Sequence, residues 1–134
     1  DSVLCQRGVD FEFLISDDGS VDNTRDVIAS VHDKRIHFSP NEINRGACVV
    51  INELIQRASG EFVALINSDD YWIDEYKLSY QLQLMRGNPA IGACFGRARF
   101  VDKDGRDIDK SSLLRGHVFD QGNRSRGAWL RHFF

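Results

Sequence analysis

The chain has 134 residues, 42% hydrophobic and 28% charged, with two prolines and a formal net charge of −3. That balance describes a soluble globular domain, or part of one, and it supplies no global basic field of the kind nucleic acid binding needs. Cys5, Cys48 and Cys94 are odd in number, far apart and in no CxxC spacing, which argues against zinc or a disulfide framework and for a reducing, cytoplasmic compartment. No apolar run approaches the roughly 18 residues of a membrane span, and no signal-peptide pattern is present. Arginines gather late (Arg97, Arg99, Arg106, Arg115, Arg124, Arg126, Arg131). They read as a solvated surface more readily than as a local anion or membrane-surface patch.

In chain order, the opening Asp-Ser-Val-Leu-Cys-Gln has the character of a helix end. Asp10–Ser16 sets Phe11, Phe13 and Ile15 against Glu12, Leu14 and Ser16, which predicts a strand with at least one buried face. Asp17-Asp18-Gly19-Ser20 is turn chemistry, after which Asp22, Asn23 or Thr24 can cap a short helix carrying Val27, Ile28 and Val31. Arg35–Ser39 predicts a short strand closed by Pro40-Asn41. From Gly46 to Ala58, residues Ala47, Val50, Ile51, Leu54, Ile55 and Ala58 make one helical stripe. Ser59-Gly60 should stop that helix, with Gly60 suited to a left-handed cap.

Phe62–Ile66 is nearly all apolar, as expected of a strand buried on both faces, and Asn67–Asp70 ends it. A helix is predicted over Asp74–Arg86, capped by Asp74, with Leu78, Leu82 and Met85 inward and Gly87-Asn88-Pro89 at its end. Ile91–Val101 reads as a strand and Asp102-Lys103-Asp104-Gly105 as a turn. Beyond Asp107 the pattern is irregular. Strands alternating with helices predict an α/β fold with a mainly parallel sheet.

Two acidic doublets stand out, Asp17-Asp18 and Asp69-Asp70, each behind a strand-like stretch. Carboxylates at the carboxyl ends of neighbouring strands converge where open α/β sheets bind ligands. Crowding them is costly unless a cation or hydrogen-bond donors offset the repulsion, which points to a metal-dependent nucleotide site. Alone, Asp-Asp-Gly-Ser also reads as a strand-to-helix turn whose aspartates cap the helix. A haloacid-dehalogenase-like phosphatase would need its nucleophilic aspartate where Ser16 stands. Behind the second stretch, Mg²⁺ or Mn²⁺ would take one or two carboxylates plus phosphate oxygens and water, and would assist a departing diphosphate. Tyr71 and Trp72 suit rim packing or a stacking platform.

The ordered series of motifs resembles a family 2 glycosyltransferase of the GT-A fold over roughly residues 1–105. It comprises Asp17-Asp18-Gly19-Ser20, Asn44-Arg45-Gly46, Asn52, Ala58-Ser59-Gly60-Glu61, Asn67-Ser68-Asp69-Asp70, Trp72, Lys77-Leu78 and Gln81. The resemblance implies a GT-A, Rossmann-like, mainly parallel sheet flanked by helices. It also implies inverting transfer from a nucleotide-diphosphate sugar, a UDP-sugar favoured, to a glycan or lipid-linked acceptor. Asp18 would meet the nucleotide base with Asp17 beside it, and Asp69 the ribose and diphosphate. Asp70 would hold Mn²⁺ or Mg²⁺. The helix of Asn52 would flank the pocket, with Gly46 allowing close backbone approach. Residues 106–134 would begin the acceptor side of a single partial domain, and the cytoplasmic face of a membrane would be reached through regions outside this chain.

The chain departs from the family pattern at Asn67, where the family has a carboxylate, and at Ile51, where it often has Arg. It also starts after the family's first strand and stops before the segment that carries the catalytic base. The expectation is therefore a donor-binding piece, inactive by itself, with unpaired strand edges. A different class of protein, a non-catalytic nucleotide-sugar-binding or degenerate module, shares these features. A receiver-type phosphotransfer domain leaves the glycine and asparagine series unexplained.

Overall fold

The computed structural model describes residues 1–108. Its elements are β1 (Phe13–Asp18), α1 (Thr24–Ala29), β2 (Ile36–Asn41), α2 (Ala47–Arg57) and α3 (Lys77–Gly87). β1 and β2 pair in parallel, in register from Phe13 opposite Ile36 to Asp18 opposite Asn41. Parallel neighbours require a crossover, which α1 provides. Both strands consequently end side by side, delivering Asp17, Asp18 and Asn41 to one edge. The result is a small parallel sheet flanked by helices, the incomplete α/β arrangement expected.

Two compact units divide the chain, Asp1–Cys94 and Phe95–Phe134. In the first, Leu4, Phe13, Ile15, Val27, Ile28, Val31 and Ile36 line one hollow, so the apolar positions of β1, α1 and β2 face one another. In the second, the described residues form the predicted turn: Gly105 has φ +78° and Val101 bridges Asp107 antiparallel. The expectations beyond 108, including the late arginines from Arg115 onward, lie outside the described residues.

Several expectations are corrected. Phe62–Ile66 pairs with neither β1 nor β2, and Val63 and Leu65 are 49% and 64% exposed. A strand exists only through a ladder partner, and no described segment provides one. The strand expected over Ile91–Val101 reduces to the single bridge at Val101. Pro40 and Asn41 extend β2 instead of closing it; proline, lacking an N–H, is tolerated because β2 has only one paired edge. Val31 lies beyond the end of α1.

The ends of the helices differ too. Gly60 is absent from the positive-φ residues. α2 instead leaves through extended Ala58, and its exit is held when Glu12 accepts from the Ser59 N–H and hydroxyl, both at 2.7 Å. Asp74 is not the cap of α3, which starts at Lys77; its carboxylate accepts from the Tyr76 N–H at 2.8 Å in the turn before it.

The first residues brace the start of α3. Buried Gln6 donates to the Asp74 carbonyl (2.7 Å) and accepts from the Leu78 N–H (3.0 Å). It thereby satisfies one orphan amide of the first helical turn. Arg7 N–H donates to the Glu75 carbonyl at 2.7 Å, and the two side chains pair. Arg35 ties the same segment to β2 by donating to the Leu4 carbonyl at 3.0 Å. Gln6→Ala removes both bonds and leaves the part-buried Leu78 amide and Asp74 carbonyl without them, so we expect a loss of about 1–3 kcal/mol, read from the urea midpoint. Arg86→Ala, which removes only an exposed ion pair with Glu61, should stay within about 0.5 kcal/mol.

Candidate functional site

The two aspartates at the end of β1 have different surroundings. Asp17 has a side chain only 1% exposed. Its Oδ1 accepts from the Ser20 N–H at 3.0 Å and its Oδ2 from Arg25 Nε at 2.6 Å. Hydrogen bonding from Ser20, then Arg25, holds its pKa below the ordinary carboxylate value. Asp17 thus folds the turn onto the start of α1.

Asp18 reaches the opposite way. Its Oδ1 accepts from Asn41 Nδ2 (3.0 Å) and the Arg45 N–H (2.9 Å), and its Oδ2 accepts from the Gly46 N–H (2.8 Å). These amides lie at the mouth of α2, where backbone N–H groups lack helical partners and a negative charge is favoured. Donation from Arg45, ahead of Asn41 and Gly46, lowers the Asp18 pKa. Both carboxylates are therefore ionised at neutral pH.

Two glycines make this approach feasible for different reasons. Gly19 has φ +82°, and a Cβ there would lie 2.7 Å from the Asn44 nitrogen and 2.9 Å from the Ile43 carbonyl carbon. The turn and the loop ahead of α2 are in backbone contact. Gly46 has φ +88° with no protein atom within 4 Å of its would-be Cβ; within the chain it is needed for its dihedral alone. Arg45 then forks onto Glu53 along α2, with Nη1 2.8 Å from Oε2 and Nη2 on Oε1. Asn52 is exposed on the same helix.

Asp69 and Asp70 occupy a separate exposed turn, closed by the Asp70 N–H on the Asn67 carbonyl at 3.2 Å. Asn67 Nδ2 lies 3.4 Å from Asp70 Oδ2. The second motif series meets just beyond: Lys77 Nζ sits 4.4 Å above the Trp72 ring and donates to Gln81 at 2.7 Å. Burial lowers the Lys77 pKa. The geometry therefore gathers Asp17 and Asp18 at one strand edge, and separately Asn67, Asp69 and Asp70 in one turn.

Among the described residues no three His, Cys, Asp or Glu side chains form a metal-holding group. The Asp69-Asp70 turn offers two solvent-facing carboxylates. That donor set fits Mg²⁺ or Mn²⁺ only where phosphate oxygens and water complete the shell. No helix among the described residues is long and apolar enough to cross a membrane.

Sequence reasoning missed Arg25, Asn41 and Gln6. Arg25 and Gln6 carry no local signal, because their partners are assigned only by the fold. Asn41, directly after Pro40, has the look of a loop residue, yet it pairs across the ladder with Asp18.

Comparison with known proteins adds a family to this geometry. Residues 1–133 match the profile described as glycosyl transferase family 2. A Bacillus subtilis glycosyltransferase provisionally assigned to teichuronic acid biosynthesis is 38% identical over 81% of this chain and 43% of its own length. Two Escherichia coli proteins named UDP-Glc:alpha-D-GlcNAc-diphosphoundecaprenol beta-1,3-glucosyltransferase are 41% and 36% identical. They cover 77% and 98% of this chain, and 40% and 49% of their own lengths. The chain thus spans less than half the length of these curated relatives. No solved structure matches it.

Gly19→Ala tests the close approach of turn and loop. The forced dihedral and the contact with Asn44 should cost about 1–3 kcal/mol in thermal or urea unfolding. Gly87→Ala, with nothing within 4 Å and no positive φ, should be neutral or slightly stabilising.

Proposed function

The chain belongs to glycosyl transferase family 2, and on that premise we propose that it binds the donor in transfer from a nucleotide-diphosphate sugar to an acceptor hydroxyl. The observation that carries this reading is the Asp18 carboxylate at the carboxyl edge of β1 and β2, against the amides that open α2. Ligands of open α/β sheets bind at such an edge. Asp18, with Asp17 beside it, forms the nucleoside end of the site. Asn52 belongs to the flanking helix, and Asp69 serves the ribose and diphosphate. Residues 1–105 form the donor-binding part, and 106–134 begin the acceptor side.

Asp70, with Asp69 next to it, would hold Mn²⁺ or Mg²⁺. Such an ion supplies charge neutralisation of the diphosphate as it leaves. This chain's own groups bind and orient the donor. An ionised Asp18 only accepts hydrogen bonds, so it suits a base that presents an N–H, as uracil does. Inversion then requires an acceptor hydroxyl to attack the anomeric carbon while a base removes its proton; no residue of 1–108 is assigned that role. The relatives named for diphosphoundecaprenol-linked acceptors support a lipid-linked or glycan acceptor; the reading also includes work at the cytoplasmic face of a membrane.

Calorimetric titration of UDP with and without Mn²⁺ tests the reading. Saturable binding strengthened by Mn²⁺ is expected, and Asp70→Ala should remove that strengthening, weakening binding about tenfold or more. Mn²⁺-dependent binding unchanged in Asp70→Ala would defeat the metal assignment. A donor that binds Asp18→Ala as tightly as the parent chain would defeat the nucleoside assignment.

A further inference from the structure

One guanidinium group links the ends of both strands. Arg25, on α1, donates from Nε to Asp17 Oδ2 at 2.6 Å and from Nη2 to the Asn41 carbonyl at 2.6 Å. Asn41 in turn donates from its side chain to Asp18 Oδ1 at 3.0 Å. The Arg25 side chain is 37% exposed whereas that of Asp17 is 1% exposed, so the charge it meets is shielded from water.

We propose that Arg25 is a positioning residue for the donor site, acting through Asp17 and Asn41 to set where the Asp18 carboxylate stands. This inference rests on the donor-site reading above. It also reaches beyond it, because Arg25 bonds to Asp17 and to the Asn41 carbonyl and acts on Asp18 only through them. Asp18 has its main chain fixed on one side by Asp17 and its carboxylate fixed on the other by Asn41. Arg25 holds both neighbours at once, a task that suits a planar fork with donors in fixed directions. A lysine ammonium can pair with Asp17 but lacks the fork that also reaches the Asn41 carbonyl. Small displacements of a group that orients a ligand carry large penalties, so loosening either neighbour is felt at Asp18.

The test compares Arg25→Ala, Arg25→Lys and Arg86→Ala in this chain, the last removing an exposed ion pair with Glu61. Two quantities are read: the ¹⁵N–¹H resonances of Ser20, Arg45 and Gly46, which report the Asp17 and Asp18 hydrogen bonds, and the affinity for UDP with Mn²⁺. In Arg25→Ala all three amides should move and affinity should fall about tenfold. Arg25→Lys should restore the Ser20 amide while leaving Arg45 and Gly46 displaced and affinity intermediate. Arg86→Ala should change neither quantity.

Arg45 and Gly46 resonances unmoved in Arg25→Ala would overturn the proposal, as would an equal loss of affinity in Arg86→Ala. If Arg25→Ala does not fold, Arg25→Lys decides: a variant matching the parent in both quantities overturns it. A parent chain that does not bind UDP overturns the donor-site reading instead, and the amide resonances still decide the link from Arg25 to Asp18.

Discussion

The Asp18 carboxylate joins the end of β1 to residues 23 to 28 positions further along the chain. It ends β1, accepts from Asn41 at the end of β2, and accepts from the Arg45 and Gly46 amides ahead of α2. Sheet edge and helix mouth are brought together by one anion that complements the unpaired amides of a helix start. Gly19 lets the backbones meet and Gly46 supplies the dihedral that turns the loop into α2. Asp17, pointing the other way, holds the same turn to α1 through Ser20 and Arg25.

These polar ties accompany little fully covered apolar surface. Among the described residues, Val3 and Val50 are the buried apolar side chains. Hydrophobic burial is ordinarily the dominant favourable term in a fold. Here directional bonds decide where segments go: Gln6 onto the start of α3, Arg35 onto Leu4, Glu12 onto the exit of α2 and Arg25 across both strand ends. Of these, the Arg25 tie lies at the edge where the donor is proposed to bind.

Much of the fold was legible where the signal is local. Alternation around Phe13 and Ile15 located β1, the stripe from Ala47 to Ala58 located α2, and Asp102–Gly105 made the turn expected. What was not legible depends on partners. The composition of Phe62–Ile66 suits a buried strand, yet pairing, not composition, makes a strand. Gly60 has the character of a left-handed cap, but the Glu12–Ser59 bonds fix an extended exit from α2 without it. The doublet Asp17-Asp18 carries two identical residues whose roles diverge because Arg25 waits on one side and the amides of α2 on the other. The motif series also placed Trp72, Lys77 and Gln81 in order, and in the structure Lys77 contacts both of the others.

The proposed donor-binding role is centred on Asp18. The most direct measurement is a map of ¹⁵N–¹H resonance changes on adding UDP and a diamagnetic divalent cation. Changes are expected to cluster at residues 17–20, 44–46 and 67–70. Changes confined to residues 95–108, or none at saturating nucleotide, would contradict it.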